Sequence, residues 1–254
     1  MTKMKRIATP TICNFSSVEE IIDDLKKYSS KSYKNNVSKQ GIQNVNALGV
    51  PIPIIRKLAK QVGRQHELAL KLWYVGYHEG QLLATLVVQP EKMTDQLIED
   101  WLSSVISWDL CDHLCNNLFR HLPICIEKIS QWASDEREFF RRAAFSLIAN
   151  LAVHQREITE EQINLYLCLS KNHAGDPRNY VKKAISWALR ELGKRDLQTR
   201  QKAITLATEL CKDSSPAGRW VGKDVLKELE TVVKIDKRSR LISSETKMGS
   251  RVKI

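Results

Sequence analysis

The side chains best placed to do chemistry in this chain lie in Trp108-Asp109-Leu110-Cys111-Asp112. In a helix, Trp108 and Asp112 stand one turn apart on one face, so an indole and a carboxylate front the same space. An electron-rich ring face beside an anion stabilises a cation. Arg142, in Phe140-Arg141-Arg142-Ala143-Ala144, adds a permanent positive charge, and Trp187, closing Val181-Lys182-Lys183-Ala184-Ile185-Ser186-Trp187, adds a second aromatic face. Singly, each has a plainer reading. A lone Trp on an amphipathic helix is more often a packing anchor; Asp112 is ordinarily a surface acid or a partner of Arg120 or His113; Arg142 is ordinarily a solvated cation.

Other chemistries have no anchor. The chain carries no phosphate-cradling Gly-rich loop, no HExxH helix and no GxSxG elbow, and no zinc-finger, basic-zipper or RNA-recognition signature. Cys111, Cys115, His121 and Cys125 raise a zinc alternative. Their spacing matches no common zinc module, and Cys111 and Cys115 share a helical face, so packing is the better reading. No metal or other cofactor is expected. Trp73, Trp101, Trp132 and Trp220 read as packing residues, and His78, His113, His121 and His154 as structural.

With 254 residues and 43% hydrophobic content, the chain can bury a substantial core in one large domain or one elongated repeat array. Forty Lys and Arg against 29 Asp and Glu leave a formal charge of +11, which favours a polyanionic partner, nucleic acid or an acidic membrane surface, without choosing between them. Six cysteines without a secretory leader read as reduced thiols. The basic start, Met1 to Arg6, breaks off at Ile7-Ala8-Thr9-Pro10 before a signal core forms, and no stretch reaches transmembrane length. The expectation is a monomeric cytoplasmic protein, nuclear in a eukaryotic source, with no membrane partner.

The elements that must hold these residues are helices, because the apolar period is helical nearly everywhere. Ser17 with Glu20 and Thr159 with Gln162 form capping-box pairs. Asp176-Pro177 and Ser215-Pro216 place a cap before a proline suited to the first helical turn, and Pro53 has the same part. Short loops are expected at Gly49 to Pro53, Gly76 to Gly80, His173 to Pro177 and Asp213 to Gly218. Arg141-Arg142-Ala143-Ala144, Lys182-Lys183-Ala184-Ile185 and Gln201-Lys202-Ala203-Ile204 form a weak repeat. Arg142 and Lys183 lie 41 residues apart, within the roughly 40 to 47 residues of HEAT and armadillo units. The fold class is therefore all-α, a curved α-solenoid of antiparallel HEAT-like helical repeats. The paired cations sit near helix N-termini, where the macrodipole disfavours them. Either a row of phosphates compensates, or nearby acids such as Glu136, Glu138 and Asp176 do.

Four stretches carry a family resemblance: Gly49-Val50-Pro51-Ile52-Pro53 with Arg56; Leu72-Trp73 and the helix through Val88; Ser107-Trp108-Asp109-Leu110-Cys111-Asp112; and Arg142-Ala143-Ala144 with Lys183-Ala184-Ile185-Ser186-Trp187-Ala188-Leu189-Arg190-Glu191. From about Val18 to Lys234 the chain resembles the DNA alkylation repair family of HEAT-like-repeat glycosylases. Trp108, Asp112, Arg142 and Trp187 match that family's functional aromatic, acidic, basic and second aromatic positions.

The resemblance implies excision of cationic N3- or N7-alkylated purines, such as 3-methyladenine, 7-methylguanine and bulkier adducts, from duplex DNA without a base-enclosing pocket. Asp112 would stabilise the oxocarbenium character of the deoxyribose and position water. Trp108 and Trp187 would line the cleft. Arg142 would hold a neighbouring phosphate, with Lys183, Arg190 and Arg56 as further phosphate contacts. Neutral damaged bases would be poor substrates. Two departures stand out: Gln40 to Ala47 holds no counterpart of the family's N-terminal DNA-contacting aromatic, and a basic stretch runs past the family core. The expected organisation is an N-terminal segment at 1–15, one DNA-binding and glycosylase domain at 16–235, and a flexible basic tail at 236–254. The alternatives are a noncatalytic relative that binds branched or damaged DNA and a protein-interaction scaffold.

Overall fold

The computed structural model describes residues 17–42 and 45–251; the N-terminal segment expected at 1–15 lies outside them. The fold is all-α, and 14 α-helices and one two-residue strand pair are assigned among the described residues. The chain divides into two compact units, Met1–Trp101 and Leu102–Ile254. No helix among the described residues is long and apolar enough to cross a membrane.

The first unit holds α1 (Val18–Lys26), α2 (Lys31–Lys39), α3 (Ile52–Val62), α4 (His66–Tyr74), α5 (His78–Val87) and the larger part of α6 (Asp95–Ser103). Ser17 caps α1 by accepting from Glu20 N, and Pro53 sits in the first turn of α3 as expected. Trp73 and Trp101 stack with ring centroids 4.1 Å apart, which confirms both as core residues. The Gly49-Val50-Pro51 stretch owes its shape to a buried acid. Glu79 accepts from the backbone amides of Leu48, Gly49 and Val50 at 2.8, 2.7 and 3.1 Å, so three charge-assisted bonds compensate its desolvation. Gly49 has φ +86°, and a Cβ there would sit 2.5 Å from Ser30 O, so only glycine fits.

The second unit runs through α7 (Trp108–Asn117), α8 (Pro123–Glu127), α9 (Ile129–Ser134), α10 (Glu138–His154), α11 (Glu160–His173), α12 (Asn179–Gly193), α13 (Leu197–Leu210) and α14 (Pro216–Leu229). Here α10 is the central element: it packs on α7, α9 and α12, and nearly its whole length is buried. Trp132 lies between Phe119 and Phe140. Thr159 and Gln162 make both bonds of the capping box, and Ser215 caps α14 with Pro216 behind it.

Asp176 departs from its expected role. The cap position of α12 is Arg178, which makes no side-chain cap bond. The Asp176 carboxylate, 2% exposed, accepts from the Arg178 amide at 2.9 Å and also pairs with the side chains of Arg141 at 2.7 Å and Arg178 at 2.6 Å. A carboxylate this deep needs the two guanidinium groups in addition to the amide to offset its desolvation. Burial alone would raise its pKa, but the donors on Arg178 and Arg141 outweigh that and bring it down to about 2. A depressed acid contributes stability that is complete above its unfolded pKa of ~3.9 and lost as pH falls through its folded value, here about 2 kcal/mol. Stability against urea should therefore fall between about pH 4 and pH 2, and Asp176→Asn should remove that pH dependence. An Asn variant as stable as the parent at pH 7 would refute the assignment.

The same pairing explains most of the cations near helix N-termini. Arg141 meets Asp176, Lys202 meets Glu160 at 2.7 Å, and Lys182 lies over the Trp220 ring. Neighbouring acids and one aromatic compensate them, while Lys183 is exposed. Where a free tail was expected from Asp236 onward, Leu241 is buried and its amide donates to Lys194 O. Arg240 reaches Glu191 and the Ala152 carbonyl. Strands β1 (Val232–Val233) and β2 (Ile242–Ser243) pair antiparallel around this anchor.

Candidate functional site

Helix α7 presents Trp108 and Asp112 one turn apart, both half-buried. The partner of Asp112 is neither Arg120 nor His113 but Arg142, 30 residues on, delivered by α10. Arg142 Nε donates to Asp112 Oδ1 at 3.1 Å and Nη2 to Oδ2 at 2.8 Å, a two-pronged pair. Ser146, one turn beyond Arg142 on α10, donates to Oδ1 at 2.7 Å. Arg142 Nη1 donates to Tyr180 O in the first turn of α12 at 2.6 Å. Three helices therefore converge on one ion pair. The orientation of the carboxylate is over-determined, because moving it breaks bonds to two side chains held on a buried helix.

This geometry changes the role of Arg142. The residue is 5% exposed, and Nε, Nη1 and Nη2 each already donate within the protein. Burial works to lower its pKa, and the charge of Asp112 more than reverses that, so the guanidinium stays above its ordinary value. Little of it remains to meet a phosphate. The guanidinium also lies 5.7 Å from the Trp108 ring centroid, so the indole, the acid and the cation form one cluster.

The Asp112 side chain retains 20% exposure. A carboxylate has about four lone-pair directions, and three are taken, two of them on Oδ1. One acceptor direction remains at Oδ2. The site can accept a hydrogen bond from water or face a developing cation, and among the described residues no second acid is bonded to Asp112.

Trp187 is half-buried on α12, seven residues beyond Tyr180. Two helical turns put both on one side of α12, about 10 Å apart along its axis. Lys183 is exposed one turn before Trp187, which leaves its ammonium open to a phosphate. Arg190 is instead paired with Glu228 at 2.5 Å. Arg56 is exposed on α3, in the first unit. Ser146 was missed in the sequence, although Arg142 and Ser146 stand four apart, the spacing of one helical face.

Cys111 and Cys115 pack against α10, each thiol donating to a carbonyl at 3.5 Å, Phe139 O and Ala143 O respectively. Burial pushes the Cys115 thiol well above its ordinary pKa, which disfavours the thiolate a metal would require.

This architecture has a counterpart among solved structures. One, from "a new family of proteins related to the HEAT-like repeat DNA glycosylases with affinity for branched DNA structures", aligns over 89% of this chain and 88% of its own, with TM-score 0.69 and 17% identity. A designed armadillo repeat protein aligns over 85% of this chain and 96% of its own, with TM-score 0.39 and 17% identity. No curated protein sequence is significantly similar to the chain. The sequence profile of the DNA alkylation repair enzymes matches residues 21–216. That match spans α7, α10 and α12 and so includes every residue around Asp112: the chain belongs to the DNA alkylation repair enzyme family.

Proposed function

We propose that this protein is a monofunctional DNA glycosylase that hydrolyses the N-glycosidic bond of cationic N3- or N7-alkylated purines in duplex DNA. The observation that carries this reading is Asp112, held in one orientation by Arg142 and Ser146, with an open acceptor direction beside Trp108. A positively charged purine is already a good leaving group, so no general acid is needed. The barrier lies in the positive charge that grows on the deoxyribose, which a fixed carboxylate and aromatic faces stabilise. Trp187 forms the second aromatic wall, and Lys183 holds a nearby phosphate.

Magnitudes bear on whether an ion-paired carboxylate still helps. With an effective dielectric of about 20, an anion at ~4 Å attracts the sugar cation by about 4 kcal/mol, and a guanidinium at ~8 Å repels it by about 2. The nearer charge wins by about 2 kcal/mol, some 30-fold in rate. Arg142 thus costs part of the electrostatic effect while fixing the position that makes it usable.

The test is release of 7-methylguanine and 3-methyladenine from methylated duplex DNA. Release is expected well above the spontaneous rate, and neutral lesions should be poor substrates. A folded parent chain that binds DNA but releases neither base leaves the noncatalytic DNA-binding reading in its place.

A further inference from the structure

The cluster around Asp112 has a structural echo at the other end of the second unit. Trp220 and Asp224 stand one turn apart on α14, as Trp108 and Asp112 do on α7. Ser186 on α12 donates to Asp224 Oδ2 at 2.5 Å, as Ser146 on α10 donates to Asp112. Lys182 Nζ lies 5.1 Å from the Trp220 ring centroid, as the Arg142 guanidinium lies near Trp108. Arg142 and Lys182, and likewise Ser146 and Ser186, are each 40 residues apart, so the repeat of the fold places them in corresponding turns. Trp220 was expected to be a plain packing residue; it is half-buried with a cation over its ring.

The second cluster is looser and more open. Asp224 is 34% exposed, and Arg190 Nε stops 3.6 Å from it. That buried Nε–H has no hydrogen-bond partner. A groove of about 340 Å³ adjoins, lined by Arg190, Asp224, Lys227 and Glu228 among others. Lys183, Lys223 and Lys227 are exposed nearby on α12 and α14. A Cβ on Gly222 would meet Ala207 O at 2.6 Å, so α14 lies hard against α13 and its Trp220–Asp224 face is fixed.

We propose that Trp220, Lys182 and Asp224 form a second nucleotide site, which takes an unpaired nucleotide of the DNA bound at the first. This rests on the DNA-repair reading given above. From α7 to α14 there are three helix-to-helix steps of about 8–10 Å, so the two clusters lie at most about 30 Å apart. That is a span of up to about nine nucleotides along one strand. A base inside a duplex has no free π-face to offer an indole, whereas a flared or single-stranded base does. Trp220 therefore selects DNA with unpaired nucleotides a short way from the lesion, while Lys182 meets the adjoining phosphate. Asp224, clamped by Ser186, faces the sugar.

The test uses the full chain in anisotropy titrations against a plain duplex and the same duplex carrying a single-stranded flap, both at about 0.1 M salt. The flap substrate is expected to bind more tightly. Trp220→Ala should weaken flap binding about tenfold, a loss at least about fivefold greater than on duplex, and Trp220→Phe should retain most of the flap affinity. Lys182→Gln, which leaves the ring packing in place, should reduce the salt dependence of flap binding by about one phosphate contact. Circular dichroism checks the fold of each variant; if Trp220→Ala unfolds, Lys182→Gln and Trp220→Phe carry the test. Equal losses on flap and duplex, or no loss with either variant, overturn the second site. A parent chain that binds neither DNA fails at the earlier step, the DNA-repair reading itself.

Discussion

Asp112→Asn is expected to slow release of 7-methylguanine from methylated duplex DNA by about 10³-fold, and further substitution of Arg142 by Gln to restore part of that loss. The single change removes about 4 kcal/mol of attraction for the sugar cation and leaves the Arg142 guanidinium repelling it. Removing both charges forfeits only their difference, about 2 kcal/mol, so the double variant should stand roughly 30-fold below the parent and 30-fold above Asp112→Asn. Single-turnover release rates on the four proteins of this cycle decide the matter. Equal rates for the parent and Asp112→Asn remove the acid from the chemistry. A double variant slower than Asp112→Asn shows instead that Arg142 acts directly on DNA.

The second large effect is on stability. Arg142→Ala leaves Asp112 without its two-pronged partner and removes the bond from Arg142 Nη1 to Tyr180 O, in a setting where the Arg142 side chain is 6% exposed. Breaking a buried pair costs about 3–5 kcal/mol. The residual 20% exposure of Asp112 puts this case near the lower end, about 3 kcal/mol. Urea midpoints report it directly. The salt dependence of DNA binding supplies the contrast: a phosphate-holding Arg142 would take about one unit from the slope when removed. The slope should hardly change, because the guanidinium donates to Asp112 and Tyr180. An unchanged urea midpoint with a reduced slope would restore the phosphate role.

The two pairs of partners differ in how they could be found. Asp112 was legible as a chemical residue because its Trp108 neighbour is four residues away, and helix geometry alone sets that distance. Its other neighbours, Arg142 and Ser146, come from a helix 30 and 34 residues further on, and no spacing rule joins them to Asp112. Asp176 shows the opposite failure. Its place before Pro177 fits a helix cap in every local respect, yet the carboxylate is drawn to Arg141 and Arg178 because packing of α10 and α12 buries it between them. Trp220 was read as packing for a similar reason: its Asp224 neighbour was in plain view one turn away, but Lys182 and Ser186 arrive from another helix.

By itself the sequence determined whatever repeats within a turn or two of one helix: the all-α class, the caps at Ser17, Thr159 and Ser215, and the pairing of Trp108 with Asp112 on one face. These follow from a backbone period of about 3.6 residues, which fixes neighbours whatever lies outside the helix. Only the tertiary structure decided which charges meet and which stay open to a ligand. Desolvation forces Arg142 and Asp176 to find partners once packing has buried them, while Lys183, on the exposed side of its helix, is left to solvent and to whatever polyanion approaches.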